Sequence, residues 1–399
     1  MHANLQHTTL RSARIQAFRH PLVAPPPHGF QGGPVLDGSD EHRKLRHSRY
    51  WQPADKFSEA DDDYDFLVPG EWAYAGPVYA HFGHFMSEMV HRILPSQQIF
   101  NRPKMLFVGV RNDPLLNNYS QFPRFLKEVL ELFEIQPSDL TVISRNSTVE
   151  TLHIVEAGSD FGGAGKPGYL EDLREFCQQR LRQLAPSSDA FEKVYVSRQM
   201  LPVGGSFLGE SYLEHILRDE GFVTFYPEAH SLVEQMNVYE KAETLVFPEG
   251  SACHGTELLG QGMMNRCFLI ARRQDHIEIF SKVLRPRSKQ FAVADTAFSI
   301  GSIFGTRGEA PAAHAGVSLL DVNRIIPFFR DNNISPLRDF SVSKYLEYAE
   351  ADLARYLHNT VKRGRATSLE DMEALCKKFA EVGARIQADK DPRSADAAQ

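Results

Sequence analysis

The sequence predicts an α/β fold, on three observations. From about residue 72, short β-branched or apolar runs alternate with amphipathic segments. At 185–192 the stretch APSSDAFE interrupts the alternation, which then restarts. In both sets helices fall between the strands, as crossovers do in parallel sheets. The predicted architecture is two Rossmann-like halves facing each other across a cleft, with C-terminal helices after them.

In the first set, KMLFVGV (104–110) reads as a strand, QFPRFLKEVLELF (121–133) as a helix, and LTVIS (140–144) and TLHIVEA (151–157) as strands. YLEDLREFCQQRLRQL (169–184) is a helix. In the second set, KVYVSR (193–198), FVTFYP (222–227), ETLVFPEG (243–250) and CFLIA (267–271) are strands. Between them GESYLEHILRDEG (209–221), SLVEQMNVYEKA (231–242) and SACHGTELLG (251–260) are helices. Past 285 the pattern weakens, and two helices follow whose N-caps are Ser341 and Ser368. The expected organisation is an irregular arm (1–65) ending in the acidic run EADDDYD, an N-terminal half (66–185), a C-terminal half (190–285), a loop and helices (286–390), and a disordered tail (391–399).

A chain of 399 residues is long enough for two domains, and 42% hydrophobic with 24% charged residues is ordinary for a soluble enzyme. A net charge of −7 implies no basic face for nucleic acid. Cys177, Cys253, Cys267 and Cys376 lack CxxC spacing, so neither a disulfide framework nor a structural zinc site is expected. The N-terminus lacks the apolar segment of a signal peptide, and no run of about 18 apolar residues occurs. The expected location is the cytoplasm, extending to the inner face of the membrane. Peripheral membrane contact and a homo-oligomer both stay open.

The segment VYAHFGHFMSEMVHRILP (78–95) places titratable chemistry on a core-like helix. His81, His84, Glu88 and His91 are spaced three, four and three apart, along one stripe with Arg92 beside it. Phe85, Met86, Met89, Val90, Ile93 and Leu94 fill the other faces, so the helix is buried and the stripe needs a polar surface to face. His84 and Glu88, one turn apart, suit a base and the carboxylate that orients it, and either can be the base. Structural histidines are the plain alternative. A shared metal ion is a further one, although the segment matches no HExxH pattern.

In the second half, Ser197 and Arg198 end a strand, where open α/β sheets bind ligands and an arginine can clamp a phosphate. PEGSA (248–252) turns from strand to helix, so the N–H groups and dipole of that helix would favour a diphosphate. GGAGKPG (162–168) imitates a phosphate loop, but Asp160 and Pro167 stand where the first glycine and the Ser/Thr belong. It reads as a flexible turn.

Together these motifs resemble glycosyltransferase family 61. The resemblance rests on GHFMSEMVHR (83–92), YVSR (195–198), the helix from Glu210 ending at Phe222, PEAHSLVEQ (227–235) and PEGSA (248–252). The chain departs from the family pattern at Glu249, where many members carry a histidine, and at His254 and Gly255. The resemblance, closest to the bacterial branch, implies two Rossmann-like domains of the glycosyltransferase B type. It implies inverting transfer from a nucleotide sugar, the co-substrate, to a carbohydrate or glycolipid acceptor, in surface polysaccharide or glycoconjugate synthesis. Neither a metal nor a further cofactor is implied. His84 and Glu88 would then be catalytic, and His81 and Arg92 would contact substrate. Ser197, Arg198, Glu228, Ser231, Gln235, Glu249, Gly250, Ser251 and Ala252 would bind the donor. Alternatives are a nucleotide-sugar epimerase of the same fold, or a non-catalytic carbohydrate- or nucleotide-binding subunit of a polysaccharide assembly complex.

Overall fold

The computed structural model describes residues 3–19, 30–37, 39–56, 63–110, 118–185, 191–201 and 205–388. The expected tail (391–399), part of the acidic run and most of the break at 185–192 lie outside them. The fold is mixed α/β. The chain groups into two units: one of 1–187, 231–237 and 253–263, the other of 188–230, 238–252 and 264–399.

The first unit is built on a six-stranded sheet. Four of its strands, Phe66–Val78, Lys104–Gly109, Leu140–Ile143 and Ser147–Val155, run parallel. Numbered along the chain, they lie in the spatial order 3-2-1-4. The order reverses between Phe66–Val78 and Ser147–Val155, and open α/β sheets place ligand crevices beyond the carboxyl ends of such a pair. Residues 104–109 are buried beyond the first, as suits a strand covered on both faces. Within 1–65, expected to be irregular, His7–Gln16 forms a ten-residue strand antiparallel to Ser147–Val155. Its threonines and arginines hid it, because one of its faces is exposed and polar.

The segment 78–95 is not one regular helix. A short turn, Phe82–His84, gives way to a π turn at Phe85–Met89, a 3-10 turn at Val90–Arg92, and an α-helix at Ile93–Ile99. Gly76 explains how this irregular run seats. The strand Phe66–Val78 bulges between Tyr74 and Gly76, whose φ of +125° favours glycine. A Cβ there would lie 3.3 Å from the carbonyl oxygen of Met89.

The second unit holds a five-stranded, all-parallel sheet of Lys193–Val196, Val223–Phe225, Thr244–Pro248, Met264–Ala271 and Ser288–Asp295. In chain order these lie 2-1-3-4-5, a doubly wound order whose switch point falls between Lys193–Val196 and Thr244–Pro248. The C-terminal helices Val342–Lys362 and Leu369–Ala388 belong to this unit and not to the first. Their Tyr345, Leu353, Tyr356, Leu375 and Ile386 join the apolar core of Tyr195, Leu213, Val246 and Phe268. Tyr345 donates to the Leu208 carbonyl at 3.0 Å and accepts from the Leu320 N–H at 2.7 Å. Ser341 caps the first helix, accepting from the Lys344 N–H, and Ser368 caps the second, accepting from the Asp371 N–H. No helix among the described residues is long and apolar enough to cross a membrane.

Candidate active site

In the first unit a polar cluster sits just past the carboxyl ends of the two switch-point strands. Glu88, with its side chain fully buried, accepts from His84 Nδ1 at 2.5 Å. Arg49 grips the same carboxylate in bidentate fashion, Nε at 2.8 Å and Nη2 at 3.0 Å, and His47 Nε2 lies 3.2 Å away. Burial alone would raise the Glu88 pKa. The hydrogen bonds from His47 and His84, with the charge and hydrogen bonds of Arg49, overcome it and hold the carboxyl well below its usual range. A carboxylate only accepts, so the His84 proton sits on Nδ1 and its lone pair on Nε2. The His84 side chain is 28% exposed, against none for Glu88.

His81 caps the short turn, its Nδ1 accepting from the His84 N–H at 3.3 Å, and the two rings lie 4.7 Å apart. Burial, then the charges of His84 and His254, push the His81 pKa down to about 4, so it stays neutral beside its neighbour. Arg92 is buried, and its guanidinium donates to the backbone carbonyls of Val155 and, at 2.8 Å, Arg46. Those contacts brace the strand end. The irregular turns also carry His91 off the expected stripe. Its Nδ1 meets the Tyr169 hydroxyl at 3.0 Å, and its Nε2 lies 3.7 Å from Glu257, whose other oxygen is 3.2 Å from His254 Nδ1.

In the second unit, Arg198 follows the first strand and Gly250 the third, at the switch point. They are in close contact: a Cβ on Gly250 would fall 1.7 Å from Arg198 Nη1, so any side chain there must displace the guanidinium. Arg198 Nη2 donates to the Gly205 carbonyl at 2.9 Å. Glu210 accepts the Arg198 N–H at 3.0 Å and the Tyr195 hydroxyl at 3.0 Å. Burial, reinforced by the Glu214 charge, lifts Glu210 to about 7 against the lowering effect of Arg198 and its hydrogen bonds. The Ser197 hydroxyl donates to Glu214.

Glu249 is fully buried and accepts the N–H groups of Arg272 and Arg273, each at 2.7 Å, and Arg273 Nε at 2.8 Å. It thereby ties the third strand end to the fourth. Arg272 donates to the carbonyls of Gly316, at 2.5 Å, and His314, at 3.2 Å. Burial first, then the charges of Arg273 and Arg198, lower its pKa to about 9. Three cations thus crowd the carboxyl end of this sheet. Of the three, the sequence singles out Arg198; Arg272 and Arg273 also follow a strand, but only the sheet order sets them beside it.

The remaining predicted residues serve local structure or line strand ends. Ser231 caps the helix Leu232–Lys241, exchanging hydrogen bonds with Glu234 in a capping box. Gln235 is mostly buried on that helix, and Glu228 is exposed on the turn after Val223–Phe225. The helix expected at 251–260 is a 3-10 turn, Ser251–Thr256, with Ala252 buried in it. Six residues carry little macrodipole, so the positive charge expected from that helix comes instead from the arginines.

No curated protein matches this chain. Residues 82–262 match the family model described as Glycosyltransferase 61, a span that takes in His84, Glu88, Arg198 and Gly250, and the chain is therefore similar to the glycosyltransferases of that family.

Proposed function

We propose that the protein is an inverting, metal-independent glycosyltransferase of glycosyltransferase B type, transferring a hexosyl or pentosyl group from a nucleotide sugar to an acceptor hydroxyl. Two Rossmann-like domains facing a cleft would bring the halves to one reacting carbon. The observation that carries the reading is the His84–Glu88 pair, 2.5 Å apart, on a carboxylate locked by Arg49 and His47. His84 Nε2 takes the proton of the acceptor hydroxyl as its oxygen attacks the anomeric carbon. The bond to the diphosphate oxygen breaks on the opposite face, and the diphosphate leaves with the electron pair. Arg198, with Arg272 and Arg273 nearby, stabilises the charge that grows there. Glu88 holds the imidazole in the productive tautomer and favours the imidazolium that forms. His81 would contact the acceptor, while Arg92, committed to backbone carbonyls, acts by positioning. Ser197, Glu228, Ser231, Gln235, Glu249 and the 250–252 turn would shape the donor pocket, Glu249 by anchoring Arg273 and not by touching phosphate. A role in bacterial surface polysaccharide synthesis, in the cytoplasm at the inner membrane face, follows from the resemblance of the sequence motifs to the bacterial branch.

A thermal-shift screen of nucleotide sugars identifies the donor, because a specific ligand raises Tm by mass action. With that donor and an acceptor panel, His84→Ala and Glu88→Gln are expected to lower kcat by roughly 100-fold or more while donor binding persists. Transfer within a few-fold of the parent in both variants removes His84 as the base. Product formed from the nucleotide sugar alone, without acceptor, would instead make the protein an epimerase.

A further inference from the structure

We propose that the N-terminal arm builds a binding site for an anionic carbohydrate in a cavity of the first unit. The proposal rests on the reading under which His84 and His81, both in this unit, meet the acceptor. The cavity holds about 770 Å³, a volume suited to a small oligosaccharide, and Arg43, Lys44, Ser48, Trp51, Glu156 and Lys166 line it. Among these residues three are cations and one is a carboxylate. Glu156 is already engaged, ion-paired with Lys166 and accepting the Gln6 N–H at 3.1 Å. Arg43 meets the neutral side chain of Gln52 at 2.9 Å. The lining therefore carries an excess of positive charge. Burial, despite the Glu156 bond, lowers the Lys166 pKa, and the charges of Arg92 and Lys44 add to that.

Trp51 supplies the other half of sugar recognition, a flat amphipathic ring. Lys166 Nζ lies 4.5 Å from its centroid, and the Trp51 backbone N–H donates to Asp160 at 2.7 Å. Gly163 lies against its indole edge, where a Cβ would come 2.6 Å from the ring nitrogen. Tyr50 and Trp51 are successive left-handed residues, φ +52° and +58°, a strained backbone of the kind retained at ligand sites. The turn GGAGKPG, which fails as a nucleotide loop, contributes Lys166 and Pro167 to the lining. The wall also abuts the catalytic cluster. Ser48 and Trp51 both donate to Asp160, while the neighbouring His47 and Arg49 hold Glu88. A saccharide anchored here by its carboxylate or phosphate would have its hydroxyls directed from this wall toward His84.

Titration calorimetry on the full chain tests this with a glucuronate-containing disaccharide, a hexose phosphate and a neutral disaccharide, each at two salt concentrations. At least one anionic sugar is expected to bind at least tenfold tighter than the neutral one, and more weakly in high salt. The stronger of the two assigns carboxylate or phosphate as the anchor. Arg43→Gln with Lys44→Gln, both on exposed side chains, should weaken that binding tenfold or more. No binding, equal binding of the neutral sugar, or an unaffected double variant overturns the site. Anionic binding with no transfer to any acceptor keeps the cavity and removes the transferase reading; transfer to neutral acceptors without anionic binding does the reverse.

Discussion

Glu88 accepts four hydrogen bonds from three side chains, and two of those side chains come from residues 47–49. Taking Arg49 away strips the main charge partner from a fully buried carboxylate, a loss of roughly 3 kcal/mol in such settings. Arg49→Lys keeps the charge but not the fork, so it is expected to retain more stability than Arg49→Ala while still lowering kcat, with KM little changed. The folded pKa of Glu88 lies below its ordinary value of 4.5, so the unfolded chain takes up the proton first. Its contribution is whole above about pH 4.5 and fades as pH falls toward the folded value. Glu88→Gln should therefore flatten the acid limb of the stability curve. Glu210 behaves in the opposite sense. Its pKa rises from 4.5 to about 7, so stability falls as pH climbs between those values, by about 3 kcal/mol. Denaturant titrations at pH 5 and pH 8 should show Glu210→Gln without that slope; an unchanged slope would mean the group titrates normally.

At the scale of elements, the strand–helix alternation was readable because parallel strands buried on both faces are continuous apolar runs. The helix Tyr169–Leu184 keeps the bounds its pattern suggests. What escaped were elements whose sequence is dictated by a neighbour. The π turn at Phe85–Met89 exists because Gly76 lets a bulged strand approach it, a contact no periodicity reveals. His84 and Glu88 were legible from i, i+4 spacing, whereas His47 and Arg49 lie in an arm without any repeat. The arginine pocket was half legible: Arg198 by its strand end, Arg272 and Arg273 only once the sheet order is known. Gly250→Ala tests that pocket. A methyl there must push Arg198 off the Gly205 carbonyl, so donor affinity is expected to fall tenfold or more with a small change in Tm. Donor binding equal to the parent would place the diphosphate elsewhere. Gly158→Ala should be costlier for folding, since its Cβ would fall 2.2 Å from the buried Tyr169 ring.

Across the whole molecule, neither unit is one continuous stretch: the chain passes between them five times, near 188, 231, 238, 253 and 264. The strand His7–Gln16 likewise reaches across 140 residues of sequence to pair with Ser147–Val155. Deleting residues 3–19 would bare the edge of Ser147–Val155, and the expected outcome is aggregated protein, read by size-exclusion chromatography. Such interleaving has a practical side. A protease that nicks one linker should yield fragments that stay together on a native column and part only in denaturant. Expressing either half as a contiguous gene segment would omit pieces that its counterpart carries, so a split version of this protein could work only by co-expression and complementation.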